Sequence, residues 1–320
     1  MQHFPCKPFV HKTTYPSQLT YAKIKSDNPF NGVCMKINKD RLSAFYQVAI
    51  SKNFHKAARA ICITQPALSQ RVLKLEQELE TTLFIRGNDG VTLTQAGLLL
   101  LEYVRNISSM ELEVLAKISG QSHGGMCGTL RIATYSSVLR SVIMPALKPI
   151  LDSSVDIHVE FFSREMRELP TMLKTGEADF IVLDHFNDLV NFNKIKIGEE
   201  EIVHARHRDH KDENQVFLDH DIQDMTTFSF LKSQGVGDVC LKRCYYDDIY
   251  GVIDGVKLGF GQAIVSRHLL KDLDEITIIP YSKTVNNPLV LYYHSNQYLT
   301  RLYQEVIDTL VNRTPLFLQP

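Results

Sequence analysis

The chain has 320 residues, room for two domains and their connections, and its 44% hydrophobic and 22% charged content is that of a globular protein. No apolar run approaches the roughly 18 residues of a bilayer span, the N-terminus has no secretory pattern, and six scattered cysteines (Cys6, Cys34, Cys62, Cys127, Cys240, Cys244) give neither a disulfide framework nor zinc-site spacing. The formal net charge of −1 argues against a nucleic-acid partner unless the charge is unevenly spread.

Residues 1–35 read as a flexible extension, with Pro5, Pro8, Pro16 and Pro29 and no apolar periodicity. Strong helical pattern starts near Met35, an expected natural start of translation. The charge is indeed uneven. Residues 36–90 carry nine Lys/Arg and five Asp/Glu, a net of +4, and residues 1–35 carry four lysines and one aspartate, a net of +3. Residues 91–320 are then left with −8. A basic head on an acidic body is a usable electrostatic footprint for DNA.

Residues 36–93 read as a winged helix-turn-helix. From Asp40, Leu42, Phe45, Tyr46, Val48 and Ala49 fall at helical spacing. A short second helix, FHKAARAIC, follows with small residues Ala57, Ala58 and Ala60. In ITQPALSQRVLKLEQELE, Thr64 suits an N-cap and Pro66 the first turn. Leu68, Val72, Leu75 and Leu79 form one buried stripe, with Pro66, Gln70, Lys74 and Gln77 opposite and Ser69 at the margin. Two short helices, the second polar at its start, describe a helix-turn-helix. LFIRGNDGVTLT then reads as a hairpin turning at Gly87-Asn88-Asp89-Gly90.

Residues 94–122 read as a linker and dimerisation helix. Thr94 caps a helix over about Gln95–Ile118, with a near-heptad seam of Leu98, Leu101, Val104, Ile107, Leu112, Leu115 and Ile118 that breaks at Ser108-Ser109. Gln121–Gly128, with Gly124, Gly125 and Gly128, reads as a hinge. Residues 123–320 alternate strand and helix: TLRIATY, SVLRSVIMPALKPIL, VDIHVEFF, REMRELPTMLKTGE and ADFIVLD give a βαβαβ parallel unit. EEIVHAR is strand-like, DIYGVIDGVKLGFGQAIVS reads helix, glycine turn and strand, ITIIPYS and PLVLYYH are late strands, and YLTRLYQEVIDTLV closes the chain as an amphipathic helix. Two α/β lobes follow, one over about 129–204 and 284–320, the other over about 205–283, with a cleft suited to a small ligand.

The ordered run Ala57-Ala58, Thr64 to Ser69, Leu75-Glu76, Leu83-Phe84-Ile85-Arg86 and Leu93 to Gly97 resembles the signature of the LysR-type family of bacterial transcription regulators. MPALKPIL, LKTGEADFIVLD and GVKLGFGQAIVS resemble that family's effector half more loosely. Cys62 to Gln65 and Ser69 to Arg71 look most like its arginine- and lysine-responsive branch. The resemblance implies an α/β protein with an N-terminal winged helix-turn-helix, a long linker helix and a two-lobe, periplasmic-binding-protein-like effector domain. It implies double-stranded DNA, a small-molecule effector (an amino acid or other small metabolite) and a homodimer or homotetramer as partners. Three positions depart from the pattern. Glu80 stands where Gly is common, Asn88-Asp89 replace a second basic wing residue, and Ser266 replaces a Pro.

Thr64, Gln65, Pro66, Ser69, Gln70, Arg71, Lys74 and Arg86 are the expected DNA-binding residues. Gln pairs bidentately with adenine, Pro66 can touch a thymine methyl, and Arg71 and Lys74 suit phosphates. Ser136, Ser137, Ser163, Asp184 and His185, at the ends of the first three strands of the effector half, are the expected effector-binding residues. Hydroxyls and free N–H groups at a helix start suit a carboxylate, and Asp184 suits a cationic ligand. An ordinary cap and a loop-facing acid are the plainer readings of the same residues.

Cys240 and Cys244, at i and i+4, would be held near each other by a helix, which leaves a cysteine-based redox-sensing regulator as an alternative, although disulfide geometry across one turn is poor. His204, His207 and His210 have the look of a metal cluster, but no acid or cysteine completes it and a solvated surface is the expectation. No Gly-x-Ser-x-Gly, phosphate loop or His-Glu-x-x-His is present, so no catalytic residue, metal or cofactor is expected. The competing class is a cytoplasmic small-molecule-binding or enzymatic α/β protein with a helical appendage, which leaves residues 57–97 unexplained.

Overall fold

A computed structural model of the protein describes residues 37–87, 90–118, 126–153, 156–209, 216–237, 240–295 and 298–319. The expected N-terminal extension, the wing tip Asn88-Asp89, most of the glycine hinge and His210 lie outside these residues.

Three helices build the head, each started by a side chain that satisfies otherwise orphaned backbone N–H groups. Asn38 caps α1 (Lys39–Ser51), Asn53 caps α2 (Phe54–Ala60), and Thr64 caps α3 (Gln65–Glu78), where Pro66 sits in the first turn. The stripe read from the sequence is the core: Phe45, Val48, Ala57, Leu68, Val72 and Leu75 are buried together. The wing is the antiparallel pair β1 (Phe84–Gly87) and β2 (Gly90–Leu93), in register Phe84 to Leu93. Phe84 anchors it, its ring 5.2 Å from that of Phe45 and 6.0 Å from that of Phe54.

The signature residues have separate jobs here. Glu76 accepts hydrogen bonds from the N–H groups of Leu83 (2.8 Å) and Phe84 (3.3 Å), so α3 fixes where the wing begins. Thr94 donates to the Thr82 carbonyl and accepts from Gly97 N–H, joining wing to helix. A Cβ on Gly97 would lie 2.3 Å from the Leu83 carbonyl oxygen, so only glycine allows that crossing.

Helix α4 (Gln95–Ile118) divides its apolar residues between two uses. Leu100, Leu101 and Val104 belong to the head's core. Leu99, Tyr103, Met110, Leu112, Val114, Leu115 and Ile118 are exposed. The single seam expected from the sequence is therefore split: its first half packs within the chain and its last three members stay open.

The rest is one mixed sheet in the order β4-β3-β5-β11-β6-β9-β7-β8, with β10 paired to β6. Strand β3 (Cys127–Thr134) lies parallel to β4 (Asp156–Ser163) and β5 (Phe180–Leu183), the expected βαβαβ unit. Strand β6 (Phe192–His207) runs through the molecule. Its first part pairs with β11 (Val285–His294), its last part with β9 (Gln262–Ser266) and β10 (Ile276–Ile279). Strands β7 (Val216–Asp219) and β8 (Lys242–Tyr245) complete the far side.

Helices cover both faces. The helix expected after β3 is interrupted: α5 (Ser136–Val138) leads through a π-turn (Leu139–Ile143) into α6 (Met144–Ser153). Pro145 has no N–H to give the preceding turn, and the ladder widens just ahead of it. Of the stretch expected to be helical after β4, only α7 (Leu169–Lys174) forms, because Pro170 suits a helix start and not an interior. Helix α8 (Thr226–Ser233), like β7 and β8, was not visible as sequence pattern, whereas α9 (Ile249–Lys257) and α10 (Arg301–Leu318) were. The larger core gathers β3, β5, β11, α6 and α10, and a smaller one lies around β7, β9 and α9.

Candidate functional site

Two sites can be built from these elements. The first is the outward face of the head. Helix α3 buries Leu68, Val72 and Leu75, which turns Gln65, Pro66, Gln70 and Lys74 out to solvent, with Ser69 and Arg71 half-buried at the edge and Thr64 exposed as the cap. Arg86 is exposed on β1 and stacks over the Phe54 ring at 4.5 Å. The head's other charges explain the remainder. Lys39 pairs with Glu111, Arg41 with Glu78 and Lys52 with Glu177. Among the described residues, Arg71, Lys74 and Arg86 form no ion pair, and neither do Lys56 and Arg59 on α2. Lys56 and Arg59 were not singled out from the sequence. Their only signal was their place on the helix before α3.

The second site is the edge where strands β4, β3 and β5 end side by side. Because the three are neighbours and parallel, Ser163, Ser136-Ser137 and Asp184-His185 all emerge at one edge. Ser163 is exposed and Ser137 is buried. His185 Nδ1 lies 2.7 Å from Asp184 Oδ1. The loop after β5 is held by Tyr292, whose hydroxyl accepts from Asn187 N–H at 2.5 Å. Across the edge, the Tyr250 hydroxyl of α9 donates to the Ser136 carbonyl at 3.4 Å, and the Arg140 guanidinium stacks 3.8 Å above the Tyr250 ring.

A buried polar chain at this edge was missed by sequence reasoning. Tyr135 donates to Glu200 Oε2 at 2.5 Å, and Glu200 Oε1 lies 2.6 Å from His268 Nε2. Ser141 Oγ lies 2.8 Å from His268 Nδ1 and gives its own proton to the Ser137 carbonyl. These contacts join Tyr135, Glu200, His268 and Ser141 in one chain of hydrogen bonds. Burial and the neighbouring Glu200 hold the Tyr135 phenol well above its ordinary pKa, so it remains a donor. Beside this chain, Arg267 grips Glu201 through two bonds of 2.6 and 2.9 Å. One signal was available: Glu199-Glu200-Glu201 is a run of acids inside a strand, where acids are depleted.

Two expectations are corrected. Cys244 lies on β8 and Cys240 in the non-helical segment before it, so the helix expected to hold them one turn apart is absent, and both thiols are free. His204 is not on a solvated surface. It is buried on β6, with its ring nitrogens 3.0 Å from Tyr281 Oη and from Gln262 Oε1. His207 Nδ1 accepts from Asp209 N–H at 3.0 Å. Among the described residues, no group of three His, Cys, Asp or Glu is placed to hold a metal ion, and no helix is long and apolar enough to cross a membrane.

Known proteins resemble both parts. Residues 40–98 match the bacterial regulatory helix-turn-helix protein of the lysR family, and residues 123–315 match the LysR substrate binding domain. A hydrogen peroxide-inducible genes activator of Dickeya chrysanthemi is 29% identical over 168 residues, 52% of this chain and 54% of that protein. The chain thus spans about half the length of the curated relatives it matches first. Among solved structures, ArgP from Mycobacterium tuberculosis has a TM-score of 0.69 at 17% identity, over 87% of this chain and 98% of that one. Full-length LTTR LysG from Corynebacterium glutamicum, with bound effector Arg, has a TM-score of 0.66 at 16% identity over the same shares. At such identities the likeness is one of fold.

Proposed function

We propose that this chain, which belongs to the lysR family of bacterial regulatory helix-turn-helix proteins, is a sequence-specific DNA-binding transcription regulator controlled by a small molecule held between two α/β lobes. The observation that carries this reading is the head's outward face. It combines an exposed, polar start to α3 with cations that have no acidic partner among the described residues.

In this reading residues 36–93 are the DNA-binding domain, 94–122 the linker and 123–320 the effector domain, with lobes over about 129–204 and 284–320, and about 205–283. Gln65, Ser69 and Gln70 read base edges in the major groove, and a bidentate glutamine–adenine pair gives about 1–3 kcal/mol of discrimination. Pro66 packs on a thymine methyl beside Thr64. Arg71, Lys74 and Arg86 hold phosphates, which supplies affinity without sequence information. The exposed apolar residues of α4 meet those of a second copy, giving a homodimer or a tetramer of dimers.

The effector is an amino acid or similar small metabolite. Ser136 and Ser137 meet its carboxylate, Ser163 offers a hydroxyl, and Asp184, oriented by His185, meets its amino group. The bound arginine of LysG is consistent with that class of ligand. Effector binding shifts the population of lobe arrangements, and the change reaches DNA through α4. The protein works in the cytoplasm and has no catalytic role.

The test is retention on operator DNA by the full chain with Gln65→Ala and Ser69→Ala together, beside a thermal-shift screen of amino acids. Loss of sequence preference with ligand response intact is the expected result. Preference that survives both changes, or wild-type protein with no salt-sensitive DNA binding at all, would remove the regulator reading.

A further inference from the structure

Beneath α4 lies a cavity of about 330 Å3, well away from the strand edge proposed for the effector. It opens between the linker helix and the strands β5, β6 and β11, and its volume is at the lower end of small-ligand pockets. Leu98, Leu101, Leu173 and Phe192 give it an apolar wall.

Three of its polar side chains, Arg105, Glu102 and His294, make no hydrogen bond among the described residues. Arg105 is half-buried, forms no ion pair among the described residues, and has its Nε buried without a hydrogen-bond partner. The guanidinium lies against Gly176, where a Cβ would stand 2.5 Å from Nη1, so the turn is shaped to receive it. Asp179 is close enough for its charge to be felt, but it is held by Arg131, which donates its backbone N–H at 2.8 Å and sets its guanidinium at 3.7 Å. Glu102, one turn before Arg105, makes no hydrogen bond among the described residues. Its nearest described basic group is His294 Nδ1 at 3.8 Å, itself buried without a partner. Burial lowers the His294 pKa below the ordinary imidazole value, with Arg105 acting in the same direction and Glu102 against it, which favours the neutral ring.

Buried polar atoms without partners are rare and need an explanation. Here a cation, an anion and an unpartnered ring nitrogen surround one apolar space. An adjoining cavity of about 650 Å3 shares Arg105, but there Lys52 pairs with Glu177, Arg131 pairs with Glu160 and Arg164 donates to the Ser163 carbonyl, so the demand is smaller.

We propose that the cavity under α4 is a second ligand site for a zwitterionic α-amino acid with an apolar side chain. The carboxylate sits on Arg105, the ammonium on Glu102 and His294 Nδ1, and the side chain on Leu98, Leu101, Leu173 and Phe192. An occupant touches α4 and the effector strands at once. It therefore reinforces the seating that Lys52–Glu177 (2.8 Å) and the Arg301 N–H to Glu113 bond (2.7 Å) already provide, and it holds the head in this position.

Calorimetric titration of the full chain with L-leucine tests the site, with 4-methylpentanoate as the same molecule lacking its ammonium group. Saturable leucine binding is expected, at least tenfold weaker for 4-methylpentanoate, and at least tenfold weaker in each of Arg105→Gln and Glu102→Gln. Lys148→Ala, which breaks only a surface pair with Asp152, leaves it unchanged. Absence of saturable leucine binding, binding that survives both charge substitutions, or binding lost in Lys148→Ala would overturn the proposal. Should Arg105→Gln fail to fold, Glu102→Gln and the comparison of the two ligands on the unmodified protein decide alone.

Discussion

The head and the effector body of this chain differ in how they treat charge and backbone strain. In the head, Lys56, Arg59, Arg71, Lys74 and Arg86 stand without acidic partners among the described residues. In the body, Arg131 meets Asp179, Arg243 meets the buried Asp219, Arg267 meets Glu201 and His268 meets Glu200. The positive-φ positions differ as well. Outside glycine, those of the head fall on Lys52, Cys62 and Glu80, while those of the body fall on Asn191 and Asp272, residue types that tolerate the left-handed region. On the proposed reading, a surface kept open for a polyanion leaves the cations of that surface unneutralised. A body that must hold distant strands together can neutralise its cations, and must when they are buried.

The largest effect should come from breaking a buried pair. His268→Leu leaves the buried Glu200 without its His268 partner, with side-chain exposures of 1% and 2% for the two residues. Removing one member of such a pair costs about 3–5 kcal/mol. Urea denaturation followed through the effector domain should show a loss of that order, and Glu200→Leu added to His268→Leu should recover part of it. Arg71→Ala in the head should change stability by no more than about 0.5 kcal/mol. Equal losses for His268→Leu and Arg71→Ala would erase the distinction between the two regions.

The head's cations should matter instead in the salt dependence of DNA binding. Each phosphate contact contributes about 0.9 to the slope of log affinity against log salt. Lys74→Ala should lower the slope by about that amount and weaken all sequences alike. Lys39→Ala removes a lysine already paired with Glu111 at 2.6 Å and should leave the slope nearly unchanged. Fluorescence anisotropy over a series of salt concentrations measures both, and equal changes for the two lysines would show that ion pairing does not mark the contact surface.

The same contrast explains what could be read from the sequence. The head is held largely by neighbours in the chain, so its pattern is local: Thr64 caps Ala67, Glu76 reaches Leu83 and Phe84, and Gly97 bonds Thr94, and the helices and wing were legible with their caps. The edge formed by Ser136, Ser163 and Asp184 was legible too, because parallel βαβ order dictates which strand ends become neighbours. The buried chain through Glu200 and His268 was not, since it joins residues 68 positions apart and no local periodicity encodes that meeting. Strands β7 and β8 were not legible either, since Val216–Asp219 follows the charged run Lys211-Asp212-Glu213 with no glycine or proline turn signal between and Lys242–Tyr245 has no apolar alternation. Cys240 and Cys244 misled because a spacing of four was given a helix where strand β8 forms instead.

Glu80 is where the head's own pattern breaks, and it offers the smallest and most exact comparison. It follows α3 with φ +49, in the position after the C-cap where glycine is usual. The bonds are those of a Schellman motif, Thr81 N–H to the Glu76 carbonyl at 3.1 Å and Glu80 N–H to the Gln77 carbonyl at 3.3 Å. An L-residue in the left-handed region costs about 1–2 kcal/mol, and glycine returns about 0.5–1 kcal/mol of that through its freer unfolded chain. Glu80→Gly should therefore raise stability by roughly 0.5 kcal/mol, visible as a small increase in the urea midpoint of the head. Glu80→Ala separates backbone from charge, because it removes the same carboxylate and keeps the strained conformation. Glycine above alanine assigns the effect to φ. Alanine equal to glycine would mean that the Glu80 charge, close to the basic face of α3, sets the difference and that the head tolerates left-handed residues as readily as the body tolerates Asn191 and Asp272.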